Sequence, residues 1–108
     1  MSQLSEFQIV YATCDQIYKA EEISRILLEK RLIACANIIN NVKSLYWWNG
    51  SINESAEIII IAKTKTSLIQ SVIDEIKSIH NYSCPCIICL PILDISEDYA
   101  IWLNAQID

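Results

Sequence analysis

A single glycine and two prolines in 108 residues leave little room for irregular chain. These residue types punctuate turns and loops, so their scarcity predicts regular elements joined by short connections and argues against a disordered segment. Positive charge is equally thin. Eight Lys and Arg against thirteen Asp and Glu give a net charge of −5, and the eight are scattered, which excludes the basic face that a nucleic-acid backbone requires. A cation is the more natural ligand. The segment Met1 to Glu6 carries neither the basic nor the apolar region of a secretory leader. The longest charge-free stretch, Asn81 to Leu93, is too short for a bilayer and holds both prolines. The chain is therefore expected to be soluble and cytoplasmic, without membrane insertion. Its five cysteines fit that compartment as reduced thiols, and their odd number fits no complete set of intramolecular disulfides.

Apolar residues, in contrast, are abundant at 53%. They suffice for one domain over residues 1–108 with a core that needs no staples. The lone glycine is the most telling residue, because it sits in Trp47-Trp48-Asn49-Gly50-Ser51-Ile52 between two apolar runs. Asn-Gly suits a type I′ turn, in which both central residues need φ > 0, so the middle of the chain reads as a β-hairpin. Its arms are long. Ala34 to Trp48 and Ile52 to Lys65, the latter with Ile58-Ile59-Ile60-Ile61, read as extended; at about 3.3 Å per residue each spans roughly 45 Å. A compact domain of this length has a radius of gyration of only about 13 Å. The hairpin should overhang its domain, and an overhanging ribbon bearing Leu45, Tyr46, Trp47 and Trp48 predicts cover by another chain.

Elsewhere the pattern is equally regular. Glu6 to Thr13 reads as a strand with Phe7, Ile9 and Tyr11 on one face. Asp15 is placed to cap a helix with Ala20, Ile23, Ile26 and Leu27 at the 3.6-residue period, ending near Arg31. Ser67 to Gln70 has capping-box spacing before a second helix with Leu68, Ile69, Val72, Ile73, Ile76 and Ile79 on one stripe, ending at His80-Asn81. Cys86 to Leu93 reads as a buried strand, and Ser96-Glu97-Asp98 opens a short C-terminal helix with Tyr99, Trp102 and Leu103. The fold class is α+β: a ferredoxin-like βαββαβ sandwich with an extended β-hairpin and a short C-terminal helix. Helices on one side leave the other sheet face bare, which again predicts an oligomer.

Five strings in order over about Ile9 to Leu103 resemble the CutA family of divalent-cation tolerance proteins. They are Ala34-Cys35-Ala36-Asn37-Ile38-Ile39, Ser44 through Ile52, Glu57 through Thr64, His80-Asn81-Tyr82 with Pro85, and Leu90-Pro91-Ile92. The resemblance implies a ferredoxin-like subunit, a homotrimer joined through the hairpin arms, a link to tolerance of copper or another divalent cation, and a trimer shape similar to the PII signalling proteins. Where some members have a strand cysteine and a His-His pair as proposed copper ligands, this chain has Ala12 and Ile79-His80, so only His80 matches. Asn81, Ser83 and Cys86 also depart from the family's usual residues.

His80, Cys84 and Cys86 form the one cluster of metal-ligating composition. Cys84 and Cys86, two apart, would face one way on a strand and share a soft ion such as Cu(I) or Zn with His80, while Cys89 faces the other way. The competing reading makes these cysteines small apolar fillers. Cys35 reads either as a packing thiol or as part of an intersubunit cleft with Lys63 and His80, for which Tyr46 and Trp48 are further candidates. Cys14, two residues beyond Ala12, is a candidate replacement ligand. Glu54 and Glu57 read as solvated hairpin residues. No nucleophile triad, phosphate loop or dinucleotide motif is present, and no enzyme activity is expected. Two functions are thus weighed: a trimeric CutA-like protein of divalent metal tolerance with weak copper binding, and a PII-like module binding a small metabolite or protein between subunits.

Overall fold

The computed structural model describes residues 5–107; the leaderless reading of the N-terminus falls partly on Met1 to Leu4, outside that range. The chain runs β1 (Phe7–Cys14), α1 (Ile17–Glu29), β2 (Cys35–Trp48), β3 (Ser51–Lys65), a 3-10 turn (Thr66–Leu68), α2 (Ile69–Ile79), β4 (Ile87–Pro91) and α3 (Glu97–Gln106). Its four strands form one antiparallel sheet in the order β2-β3-β1-β4. This is the ferredoxin-like plan.

Strand alternation decides which face carries the helices. Val10 and Cys14 of β1, with Ile58, Ile60 and Ala62 of β3, pack against Ala20, Ile23 and Leu27 of α1 and Val72 and Ile76 of α2. The core therefore sits on the Val10 side of β1, and Ile9 and Tyr11 lie on the opposite face. Cys14 is fully buried in this core, so it cannot stand in for a ligand on the other face. Thr64, also buried, donates from Oγ1 to the Leu32 carbonyl at 2.6 Å, which anchors the α1–β2 connection to β3. A smaller cluster of Phe7, Ala34, Leu103 and Ile107 fastens α3 to one end of the sheet.

Helix starts differ from the expected caps. Gln16, not Asp15, precedes α1, and no side chain caps it; Asp15 instead accepts from Asn81 Nδ2 at 3.3 and 3.4 Å. The Ser67 capping box is replaced by the 3-10 turn, α2 stops at Ile79, and Ser96 precedes α3 without a side-chain cap bond. β4 is also shorter than expected.

The hairpin forms as expected, with Asn49 at φ 50° and Gly50 at φ 79°. A Cβ on Gly50 would meet nothing within 4 Å, so the glycine is there for its backbone and not for space. With one glycine available, two other left-handed positions fall to Arg31 (φ 58°) and Asn41 (φ 59°). Arg31 follows α1, where the Leu32 N–H reaches the Leu27 carbonyl at 3.0 Å in a Schellman closure.

Asn41 has the larger consequence. Ile39 pairs with Ile59 but Val42 pairs with Glu57, so β2 holds one residue more than β3 over that interval. Such a bulge reverses which residues of β2 face each way. Asn37 and Ile39 lie on the face away from α1 and α2; beyond the bulge that face takes Val42, Ser44, Tyr46 and Trp48.

Candidate functional site

The reversal builds a cleft. Tyr11 and Thr13 of β1, Ser44, Leu45, Tyr46 and Trp48 of β2, Glu57 of β3, and Asn81 to Cys84 with Cys86 from the α2–β4 connection enclose about 670 Å³. Four residues proposed from sequence, Cys84, Cys86, Tyr46 and Trp48, meet here.

Glu57 is the residue that sequence reasoning misplaced. It is only 8% exposed, not a solvated hairpin carboxylate, because it lies at the bulge just where β3 enters the body of the domain. The Tyr82 hydroxyl donates to its Oε2 at 3.1 Å. Burial, then this bond and the carboxylate charge, push the Tyr82 phenol well above its ordinary range, so it stays a donor. Burial also raises the Cys86 thiol, and the Glu57 charge adds to the shift while a Thr13 hydrogen bond opposes it. A thiol held neutral is a poor nucleophile. Cys89 is raised by burial alone and packs against the helix-side core, on the side expected for it.

His80 is not free to ligate as proposed. Its Nε2 lies 2.7 Å from the Thr13 carbonyl, which can only accept, while its Nδ1 accepts the Tyr82 N–H at 3.0 Å. Both ring nitrogens are spent on backbone, and the ring also stacks at a tilt on Tyr82 with centroids 4.7 Å apart. The imidazole is a pin that holds the cleft wall against β1. Among the described residues no three His, Cys, Asp or Glu side chains come together to hold a metal ion. The proposed His80, Cys84 and Cys86 centre therefore does not fit, although both thiols do line one cleft.

Cys35 and Lys63 lie elsewhere. They are paired in the β2–β3 register and face α3, where Cys35 Sγ is 3.4 Å from the Tyr99 hydroxyl. Lys63 Nζ donates to Asn37 Oδ1 at 2.9 Å and sits 5.9 Å from the Tyr99 ring centre. Hydrogen bonding to Cys35, with some burial, pushes the Tyr99 phenol up to about 12. Within one subunit Cys35 and Lys63 thus lie at the opposite end of β2 from Tyr46 and Trp48.

Fold and cleft define a class: a ferredoxin-like α+β subunit with an overlong hairpin and an open sheet face. Comparison with known proteins gives that class its family. The family model described as "CutA1 divalent ion tolerance protein" matches residues 8–106, and the chain belongs to this family. The divalent-cation tolerance protein CutA of Archaeoglobus fulgidus is 36% identical over 92% of this chain and 96% of its own length, and that of Pyrococcus horikoshii 41% over 88% and 92%. A CutA homolog of Danio rerio is 40% identical over 88% of this chain, which spans 63% of that longer protein. The crystal structure of CutA1 from Oryza sativa superposes with a TM-score of 0.93 at 30% identity, covering 99% of this chain and 98% of its own. That of the Archaeoglobus protein, described as periplasmic, gives 0.92 at 35%, covering 94% and 99%. No helix among the described residues is long and apolar enough to cross a membrane.

Proposed function

We propose that this chain acts as a homotrimer in divalent metal tolerance, in the cytoplasm and without catalytic chemistry of its own. The observation that carries the reading is the apolar surface the subunit leaves uncovered. Leu45, Trp47 and Ile52 on the hairpin are 65, 72 and 65% exposed, and Ile88 and Leu90 on the open sheet face 50 and 51%. A lone soluble chain rarely leaves so many large apolar side chains exposed on both faces of its sheet. Family membership supports the tolerance role.

Copper, in this reading, is held weakly as Cu(I) by Cys84 and Cys86, which supply soft sulfur donors, and not by His80. Native mass spectrometry of reduced protein with and without Cu(I) tests assembly and metal together. A trimer that takes up Cu(I), and loses most of that uptake in Cys86→Ser without dissociating, is the expected result. A monomer at micromolar concentration defeats the assembly; equal Cu(I) affinity in parent and variant removes Cys86 from any site.

A further inference from the structure

The cleft holds a feature that metal tolerance does not use. Glu57 is a nearly buried carboxylate, and no Lys, Arg or His nitrogen of the described residues lies within ion-pair distance of it. Among the described residues its side-chain partner is neutral: Tyr82, on Oε2. A carboxylate so little exposed favours a cation beside it, and in the single subunit this one opens on a space of about 670 Å³ walled by Tyr11, Tyr46, Trp48 and Tyr82.

We propose that the cleft binds a small primary alkylammonium ion, its charged head on Glu57 and its alkyl stem along the aromatic walls. The choice of cation follows from the surroundings. A hard metal ion on Glu57 would need several converging oxygen donors, and no set of three His, Cys, Asp or Glu assembles among the described residues. An ammonium group needs one carboxylate and a few hydroxyl acceptors, which Glu57, Thr13 and Ser44 supply, and aromatic faces attract it further. The volume admits a chain of several carbons but leaves the site open, so affinity rests on the charged head. The net charge of −5 favours the approach of such a ligand.

Calorimetric titration with butylammonium chloride and with its neutral isostere butan-1-ol tests the proposal on the unmodified protein. Butylammonium should bind at least about tenfold more tightly, the ratio a charge-assisted hydrogen bond carries. Glu57→Gln, which keeps an acceptor for Tyr82, should abolish that preference. Trp48→Leu should weaken butylammonium several-fold while leaving the preference for charge. Equal binding of the two probes, or none, overturns the proposal. Sedimentation of the same samples separates this failure from that of the trimer. If Glu57→Gln loosens assembly while butylammonium does not bind, the carboxylate belongs to a lysine of a second copy, and the proposal falls.

Discussion

A histidine is ambiguous in a sequence because its role is set by what its two ring nitrogens touch, and His80 illustrates how far away those partners lie. Thr13 precedes it by two helices and the hairpin, and the contact is to a backbone carbonyl that no side-chain motif reports. Glu57 was hidden for a related reason. Its spacing of two from Ile59 and Ile61 placed it on the open sheet face, yet only the fold of residues 81–84 over that face buries it. Cys84 and Cys86, in contrast, were legible as neighbours, since their separation is local. Removing the imidazole should expose these differences. His80→Ala leaves the Thr13 carbonyl and the Tyr82 N–H without their partner, at a cost of about 1–3 kcal/mol, visible as a lower midpoint in urea unfolding. Cu(I) affinity, measured against a competing chelator, should not change. A variant with parental stability but weaker copper binding would restore His80 as a ligand.

At the level of elements, periodicity located all four strands and three helices, because each buries a face and so repeats apolar residues at its own period. Boundaries were less legible. Capping from Asp15 and Ser67 was expected from residue type, but the chain enters both helices through backbone geometry alone. The bulge in β2 escaped altogether: nothing in the alternation of Asn37 to Trp48 marks an extra residue except the pair Asn40-Asn41, where the Asn40 side chain accepts the Asn41 N–H at 2.8 Å. Yet this one residue decides that Tyr46 and Trp48, and not Trp47, face the cleft. Asn41→Val should cost about 1–2 kcal/mol through its left-handed backbone, whereas Asn41→Gly should be close to neutral, because glycine's ease at φ > 0 offsets the freedom it adds to the unfolded chain. Thermal melts of the two variants check the sign. If valine is tolerated as well as glycine, the bulge is not left-handed at Asn41.

The whole subunit is more extended than its length requires. Its radius of gyration is 14.7 Å and its longest dimension 44 Å, against about 13 Å for a compact chain of this size, and the excess comes from the ribbon of β2 and β3. The open sheet face continues into that ribbon. Across it, Ile88 of β4 lies beside Tyr11 of β1, which pairs with Ile61 of β3, and Leu90 lies beside Ile9, so the face is an apolar band that crosses strands. The helix-side core and this band are physically independent, since alternation sends their side chains in opposite directions. Charging the band should then separate assembly from folding. In Ile88→Lys/Leu90→Lys each lysine can reach water in an isolated subunit, but in a trimer that covers the face two cations per subunit would be buried without partners. The expected result is a subunit with parental circular dichroism that sediments as a monomer. Continued trimerisation with both lysines in place would show that the band faces solvent in the assembly, and that the hairpin alone joins the subunits.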